Sequence, residues 1–405
     1  IWSDISVTIV ADESVEKDFG TGALGVTPAH SQIDADIAKR HNLRTIQVID
    51  EKARMMVEAG HPLFDSEKNI GMKSTDARTK VVEWIREQGL LEKEEKIRQR
   101  VSTAERTGAV IEPLPKTQWW VAVNKPFVLP FSTINGIEAG KETTLKEIMK
   151  SAVSGGQVEL LPSHYDKTYF HWIDNLNDWC ISRQIWYGHR IPVWYKREKG
   201  TNETNDVSKN DGKLLETYCD ILSPREAGRA DADEFYQDED TLDTWFSSGL
   251  WTFSTLSWPE AFDTTHGQAK AGTDLARFHP TSILVTGPDI IFFWVARMIL
   301  MTGYTLGTVP FSSVYFNGIV RDMQGRKMSK SLGNGGDPIE MSEKYGADAL
   351  RMFYAMSTAP GTDCKLDENK IKGLFKDAKD LGVDMFLLDD GWFGNKYPRN
   401  NDDAG

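Results

Sequence analysis

The chain has 405 residues, of which 40% are hydrophobic and 26% are charged, and its formal net charge is −13. This composition is typical of an ordinary globular protein with room for two or three domains. The acidic balance argues against an extended nucleic-acid surface, although it permits a local basic face. The 3 cysteines are widely spaced, which argues against a disulfide framework and a zinc knuckle and favours a reducing cytoplasm.

The sequence contains neither the pattern of a membrane-spanning helix nor that of an export signal. No apolar run reaches the roughly 18 residues of a membrane-spanning helix, so we expect no membrane partner. The start has no signal-peptide pattern and no initiator Met, so we interpret it as an internal segment. Further on, Val81, Val82 and Ile85 share one face of the stretch Thr75–Gln88, which predicts an amphipathic helix.

A strand, a helix and a second strand follow one another in the last third of the sequence. An apolar stretch begins near Thr281, Gly287 and Pro288 follow it, and an apolar helix and another strand lead to Val320. This order predicts an α/β fold whose ligands bind at the carboxyl ends of the strands. The earlier stretch 196–233 is strongly polar, so we predict an exposed, inserted loop there.

A basic loop between glycines follows the second strand. Lys327 and Lys330 lie in the sequence KMSKS, with Gly325 before them and Gly333 after them. Lysines are mobile point charges that suit a triphosphate, and glycines let the backbone adjust as the phosphate charge shifts. A solvated surface loop is the plain alternative, but the position directly after a strand favours phosphate binding.

KMSKS after a strand, followed by KYGADALR, resembles the second half of the nucleotide-binding domain of class I aminoacyl-tRNA synthetases. The resemblance implies that Lys327 and Lys330 are catalytic, because this loop binds ATP with Mg²⁺ and steadies the departing pyrophosphate. It also implies that a glycine–aspartate pair contacts the ATP ribose. The ATP-binding residues implied in this way are Gly287, Asp289, Gly318, Lys327, Met328, Ser329, Lys330 and Ser331. Pro288 and Asn317 depart from the family pattern, which usually has an aromatic residue and a His there.

Three longer segments resemble the valine-specific members of this class. They are DWCISRQIWYGHRIPVWY, DEDTLDTWFSSGLWTFSTLSWPE and VTGPDIIFFWVARMI. The resemblance implies that Trp245, Ile290 and Trp294 wall the pocket for the valine side chain, because rigid aromatic and branched groups can measure its shape. Plain core packing is the alternative. The implied partners are ATP, valine and tRNA(Val), the implied state is a monomer, and no protein-bound metal is expected.

The sequence DFGTGALGVTPAHSQIDADIAKRHNL resembles the editing insertion of the valine, isoleucine and leucine enzymes. Threonine is nearly isosteric with valine, so an apolar pocket for valine rejects threonine only weakly. As is established for valine enzymes, a second, hydrolytic site removes the mischarged threonine. The resemblance implies that Thr27 lines this site and that Asp34 holds the substrate ammonium group. His30 is a candidate base, with helix capping or core packing as the alternative. Gly25 and Ser31 depart from the family pattern, in which a Lys and an Asp are usual.

The histidine signature H-x-G-H of class I enzymes does not occur in this sequence. In the family it lies upstream of the editing insertion, so we expect the chain to begin downstream of it and to lack the first strands of its sheet. We therefore expect no valine-dependent ATP–pyrophosphate exchange by this chain alone. A stand-alone aminoacyl-tRNA deacylase or tRNA-binding module, which needs no ATP, is the alternative.

The end of the chain, from about residue 374, does not continue the synthetase pattern. The sequences KDAKDLG, VDMFLL and DDGW are typical of a helix, a strand and a carboxylate pair of a β/α-barrel unit. They resemble the α-galactosidases, which implies that Asp389 and Asp390 contact sugar hydroxyls. One strand cannot build a barrel or place two carboxylates around a glycosidic bond. We therefore interpret this end as a foreign segment, and a glycoside hydrolase is the weakest alternative.

The predicted fold class is α/β. Residues 1–115 are assigned to a partial, β-rich editing domain, and residues 116–345 to the second part of a Rossmann-like catalytic domain that contains the insert 196–233. Residues 346–373 are predicted to begin the stem-contact helices, and residues 374–405 form the barrel-like tail. The implied function is ATP-dependent activation of valine, its transfer to tRNA(Val), and hydrolytic editing of mischarged threonine.

Overall fold

The computed structural model describes most of the chain, which divides into two compact units. The described residues are 7–18, 21–56, 71–95, 101–104, 107–198, 213–328, 333–335, 337–357, 359–366 and 373. The first unit is Ile1–Thr117 and the second unit is Gln118–Gly405.

Helices and strands of the described residues are labelled here in chain order. The helices of the first unit are α1 Gln32–His41 and α2 Ser74–Glu87. The helices of the second unit are α3 Leu145–Ser154, α4 Tyr165–Asp174, α5 Thr244–Ser254, α6 Asp274–Phe278, α7 Arg297–Leu306, α8 Pro338–Tyr345 and α9 Ala347–Ser357. The strands of the second unit are β1 Trp120–Val121, β2 Phe127–Val128, β3 Glu142–Thr143, β4 Glu159–Leu161, β5 Trp179–Cys180, β6 Ser182–Arg183, β7 Val193–Arg197, β8 Leu214–Cys219, β9 Phe235–Gln237, β10 Thr241–Leu242, β11 Phe262–Asp263, β12 Gln268–Ala269, β13 Thr281–Thr286, β14 Phe311–Phe316, β15 Val320–Arg321 and β16 Cys364–Lys365.

The first unit contains α1 and α2 and, within its described residues, isolated β-bridges in place of longer strands. Helix α2 confirms the predicted amphipathic helix. Helix α1 begins where Ser31 Oγ accepts the N–H of Asp34 at 3.3 Å, and it ends at Asn42, whose φ of 52° is left-handed. The β-rich character predicted for this unit is not seen in these residues. Val7 and Ile9 are 81% and 95% exposed, so they lack the apolar layer that a stable sheet needs.

A parallel sheet of three strands, in the order β13, β14, β4, lies at the centre of the second unit. Its register pairs Leu284 with Val314 and Val314 with Leu160, and all of these side chains are buried. Phe311 and Phe316 of β14 are also buried, because β14 is the middle strand and helices cover it. The predicted order of strand, helix and strand is confirmed by β13, α7 and β14. In a parallel sheet all carboxyl ends lie at one edge, which positions the candidate site.

One continuous helical segment connects β13 to β14. It starts as a 3₁₀ turn at Pro288–Ile290, continues as a π-helix over Ile291–Ala296 and ends as α7. Helix α7 packs closely on α3, since a Cβ at Gly303 would lie 2.4 Å from Ile148 Cγ2. No uninterrupted apolar run was expected to be long enough to cross a membrane. Pro288–Leu306, although Asp289 and Arg297 interrupt it, is long and apolar enough on average among the described residues, but 61% of its most apolar stretch is buried. That burial is typical of a core helix in a globular unit.

Within its described residues the stretch 196–233 is not a loop throughout, so this prediction is wrong in part there. Its most polar residues, 199–212, lie outside the described residues. Residues Leu214–Cys219 form β8, which pairs antiparallel with β7, and β7 also pairs antiparallel with β9. The Arg229 guanidinium lies 4.7 Å from the Phe235 ring centroid and forms an ion pair with Glu216 at 2.7 Å. Charged groups therefore cover an aromatic surface of this sheet.

Candidate active site

The carboxyl ends of the parallel strands lie beside a cavity of 480 Å³. Pro288 and Asp289 follow β13, Ile319 and Arg321 follow β14, and Tyr165 follows β4 after a short turn. The residues that line the cavity are Tyr165, Pro288, Asp289, Ile319, Arg321, Gly361, Thr362 and Asp363. The sequence predicts ligand binding at this edge, and the cavity combines apolar walls with charged groups from separate loops.

Two predicted ATP contacts from distant parts of the chain meet at this cavity. Lys327 Nζ forms an ion pair with Asp289 Oδ2, and the two side chains are 58% and 38% exposed. A Cβ at Gly287 would lie 2.7 Å from Asp289 Oδ1, so the missing side chain lets the carboxylate fold back over the end of β13. The geometry therefore presents one anion and one cation side by side, both open to solvent.

Gly318, another predicted ATP contact, lies where two backbone segments touch. A Cβ at this position would lie 1.7 Å from the carbonyl oxygen of Thr362. No side chain fits there unless the loop after β14 moves away from the segment before β16. Close backbone packing thus explains this glycine without any contact to a ligand.

Asp363 and Arg321 are cavity residues that sequence reasoning missed. Asp363 Oδ1 accepts the N–H of Ile319 at 2.8 Å, and its other oxygen forms an ion pair with Arg321 Nε. Burial raises the pKa of Asp363, but the Ile319 N–H and the Arg321 guanidinium outweigh that effect, so the pKa is lowered overall. Arg321 directly precedes the basic loop segment and is visible as a candidate for that reason, whereas Asp363 has no motif around it.

The basic loop is only partly described. Met328 packs beside a small apolar cluster that includes Met341 and Phe353, so the loop is anchored just after Lys327. The predicted contacts at 329–331, Ser329, Lys330 and Ser331, lie outside the described residues. Their roles stay predictions from the sequence.

The predicted valine-pocket residues come from two helical segments that pack together. Trp245 lies in the first turn of α5, while Ile290 and Trp294 belong to the 3₁₀ turn and the π-helix after β13. All three side chains are half-buried. The Trp245 ring stacks on Phe293 with a centroid distance of 5.7 Å and an interplanar angle of 23°. A π-helical turn is uncommon and is often found at functional sites, so this packing supports a pocket as well as a core role.

Asp243 positions the start of α5 and was missed by sequence reasoning. Its Oδ1 accepts the N–H of Trp245 at 3.3 Å, as a helix cap does. Its Oδ2 accepts Trp179 Nε1–H at 2.9 Å and forms an ion pair with Arg183 at 2.9 Å. The signal was present, since an aspartate stands directly before the apolar helix that contains Trp245.

Arg297 is a buried cation next to this cap. Its guanidinium carbon lies 3.9 Å from the Trp179 ring centroid and 4.6 Å from that of Phe292. Its Nε and Nη1 have no hydrogen-bond partner among the described residues. Burial lowers the pKa of Arg297 to about 10, so the side chain stays charged near neutral pH and is stabilised by the faces of two aromatic rings.

A comparison with protein families decides what this arrangement belongs to. The model of one family, the tRNA synthetases class I (I, L, M and V), matches residues 6–367. The chain belongs to the class I tRNA synthetases. The resemblance on which the sequence interpretation was based is therefore confirmed, and the strand-end cavity lies in the part of the chain that this family covers.

Individual relatives of this class I synthetase chain are valine–tRNA ligases. That of Clostridium tetani is 40% identical over 369 residues, which cover 90% of this chain and 36% of the relative. That of Geobacillus stearothermophilus is 40% identical over 375 residues, which cover 93% and 36%. The predicted similarity to valine enzymes is confirmed, and the chain spans 36% of the length of these curated relatives.

Solved structures with detectable likeness are also synthetases. One is a LeuRS–tRNA–LeuAMS ternary complex from Agrobacterium radiobacter, with a TM-score of 0.35 and 22% identity over 51% of this chain and 27% of that chain. Another is the methionyl-tRNA synthetase of Mycobacterium tuberculosis bound by methionyl-adenylate, with a TM-score of 0.37 and 16% identity over 62% and 41%. These scores are too low to add to the family assignment.

The end of the chain matches a second family. The melibiase model matches residues 356–405, which confirms the predicted α-galactosidase resemblance. The match begins earlier than the predicted join at about 374, and it overlaps the synthetase match over 356–367. Asp389 and Asp390 lie outside the described residues, so their sugar contacts stay a prediction.

The predicted editing residues of the synthetase lie together in the first unit. Asp34 is buried, and its Oδ2 accepts the backbone N–H of Thr27 at 2.8 Å and the Thr27 hydroxyl at 3.0 Å. His30 Nε2 accepts the N–H of Val48 at 3.0 Å, and its Nδ1 lies 3.3 Å from the Pro113 carbonyl oxygen. Both ring nitrogens of His30 thus have backbone partners, which favours the core role over the role of a base.

Proposed function

We propose that the chain contributes the ATP-binding and valine-binding surfaces of a valine–tRNA ligase, which joins valine to tRNA(Val). The observation that carries the proposal is the meeting of Asp289, at the end of β13, with Lys327, from the loop after β14, beside the strand-end cavity. The names of the relatives support valine as the substrate. A cytoplasmic, monomeric enzyme is part of the proposal, and the widely spaced cysteines support the reducing compartment.

Binding of ATP is proposed to replace the ion pair between Lys327 and Asp289. The pair is partly exposed, and exposed pairs contribute only about 0–1 kcal/mol, so a triphosphate can take the place of the carboxylate. Lys327 then balances phosphate charge, and Asp289 accepts hydrogen bonds from the ribose hydroxyls. Lys330 is proposed to stabilise the departing pyrophosphate from the same loop.

Magnesium is proposed to arrive with ATP. Among the described residues, no group of three or more His, Cys, Asp or Glu side chains could hold a metal ion. Asp289 and Asp363 at the cavity already have cationic partners. Mg²⁺ usually keeps several waters and binds through phosphates, which fits a site with few protein ligands.

Selection of valine is proposed for the pocket bounded by Trp245, Ile290 and Trp294. The helical segment of Ile290 and Trp294 begins at the strand end that also carries Asp289, and Trp245 of α5 stacks on Phe293 of that segment. Amino acid and nucleotide would therefore bind side by side. The catalytic contribution is then positioning, because the valine carboxylate must approach the α-phosphate of ATP. The rigid stack of Trp245 on Phe293 limits the length of side chain that fits.

Isothermal titration of the 405-residue chain with ATP and Mg²⁺ tests this proposal. We expect saturable binding that weakens about tenfold or more in Lys327→Ala, because a charge-assisted contact contributes roughly 1.5–3 kcal/mol. Lys141→Ala is the matched control, since Lys141 is also an exposed lysine in an ion pair, with Glu138. The proposal fails if the wild-type chain does not bind ATP or if both variants bind it equally.

Editing of threonine is proposed for the first unit. The buried Asp34, held by Thr27, offers a carboxylate for the substrate ammonium group beside a hydroxyl. A stand-alone deacylase would use the same residues. The two functions can be distinguished by experiment. A stand-alone deacylase predicts that the chain hydrolyses threonyl-tRNA(Val) but does not bind ATP, whereas the proposed ligase predicts ATP binding as well.

A further inference from the structure

Asp322 closes a tight turn just before the basic loop. Its carboxylate is buried, with 6% of the residue exposed. Oδ1 accepts the backbone N–H of Arg326 at 2.8 Å, and Oδ2 accepts Arg326 Nε–H at 2.7 Å. The backbone of Asp322 also donates to the Arg326 carbonyl at 2.9 Å and accepts from Gly325 N–H at 2.9 Å. Gly325 has a φ of 82°, which a residue with a side chain rarely adopts.

The same carboxylate holds the far end of the loop. Asn334 Nδ2 donates to Asp322 Oδ2 at 2.9 Å and to the Lys327 carbonyl at 3.2 Å. Lys327 also forms a β-bridge with Arg321, on the other side of the turn. The backbone of Lys327 is therefore held by neighbours that all connect to Asp322.

We propose that Asp322 is a positioning residue that holds Lys327 opposite Asp289 at the strand-end cavity. The consequence for ATP rests on the proposed function. The ionised state of the Asp322 carboxylate supports a permanent clamp, beside the hydrogen bonds given above. The Asn334 amide, followed by the Arg326 groups, lowers the pKa of Asp322 to about 2 against the effect of burial, so the carboxylate is ionised throughout the neutral range. Hydrogen bonds to an ionised acceptor are the stronger kind.

A simple charge effect and a positioning effect predict opposite results. Asp322 is an anion near a site proposed for phosphates, so removal of its charge alone would leave Arg326 uncompensated and strengthen ATP binding. If Asp322 positions Lys327, removal of the charge releases the loop ends and weakens ATP binding. The sign of the change therefore separates the two explanations.

Asp322→Asn in the 405-residue chain is the test, with titration of ATP and Mg²⁺ as the first measurement. We expect roughly tenfold weaker binding than in the wild-type chain. Asp337→Asn is the matched control, because Asp337 caps α8 through Ile339 N–H at 2.9 Å and asparagine caps equally well. Unchanged or tighter binding in Asp322→Asn would overturn the proposal.

Limited trypsin digestion tests the clamp without ATP. Cleavage after Arg326 and Lys327, followed by mass spectrometry, should be roughly tenfold faster in Asp322→Asn and in Asn334→Ala than in the wild-type chain. The double variant should cleave no faster than the faster single variant, since both residues act on the same clamp. If the wild-type chain binds no ATP, the proposed function fails, but faster cleavage still supports the clamp. Unchanged cleavage overturns it.

Discussion

Each acidic residue of the proposed sites already has a partner within the protein, and the burial of that interaction differs from site to site. Asp289 pairs with Lys327 where both are exposed, so a ligand can separate them at little cost. Asp34 is buried, and both of its bonds to Thr27 use Oδ2. None of the described residues donates to Asp34 Oδ1. In the proposed editing role, the substrate ammonium group is placed at Oδ1, where it would leave the contact that holds Thr27 intact.

Asp34→Asn is expected to lower hydrolysis of threonyl-tRNA(Val) about tenfold or more, because the amide keeps a hydrogen-bond acceptor for Thr27 but loses the charge that pairs with an ammonium group. Single-turnover deacylation measures this directly. Asp36→Asn on the same helix is the control, since Asp36 is exposed and contacts Gln32. Equal rates for the two variants would contradict the assignment of Asp34.

At the scale of elements, the start of α5 connects helix capping to the proposed valine pocket. Asp243 caps the turn that contains Trp245, and the same carboxylate accepts Trp179 Nε1–H. Trp179 in turn packs face-on against the buried Arg297 guanidinium. A helix cap and an aromatic wall therefore depend on one buried carboxylate, so a change at Asp243 affects both.

Asp243→Ala is expected to destabilise the second unit by about 2–4 kcal/mol, because the cap is lost and Trp179 and Arg183 lose a buried partner. Asp243→Asn keeps the cap and is expected to cost about half as much. Urea unfolding followed by tryptophan fluorescence measures the difference. If the asparagine variant is as unstable as the alanine variant, Asp243 stabilises the second unit mainly through its charge and not through helix capping.

At the scale of the whole molecule, the chain consists of two compact units, each with its own stabilising contacts. In the first unit Asp12 forms bonds with Arg40 at 2.7 and 3.0 Å and with His41 at 2.9 Å. The Arg40 guanidinium, helped by the Ser14 N–H, holds the pKa of Asp12 well below its ordinary value. The second unit is stabilised by its buried apolar core around β14 and α7.

Acidification is expected to destabilise the first unit through Asp12, as it does the second unit through carboxylates such as Asp322. A carboxylate whose pKa is lower in the folded protein than in the unfolded chain contributes its full stabilisation above the unfolded pKa of about 4. That stabilisation is lost as the pH falls through the pKa of the folded state. Calorimetry of the full chain should resolve two transitions at neutral pH. At neutral pH, Asp12→Asn should lower the midpoint temperature of one transition. On acidification that midpoint should then fall by less than it does in the wild-type chain. A single transition that shifts as a whole would contradict independent units.

The sequence alone determined the family, the order of strand, helix and strand, and the strand-end position of the candidate site, because those signals are local patterns of apolar residues, glycines and lysines. Only the tertiary structure decided that Lys327 meets Asp289, 38 residues away, and that Gly318 serves a backbone contact with Thr362. It also revealed Asp363 as a cavity residue. These contacts join segments that are separate in the sequence, and no local pattern specifies which distant groups a fold brings together.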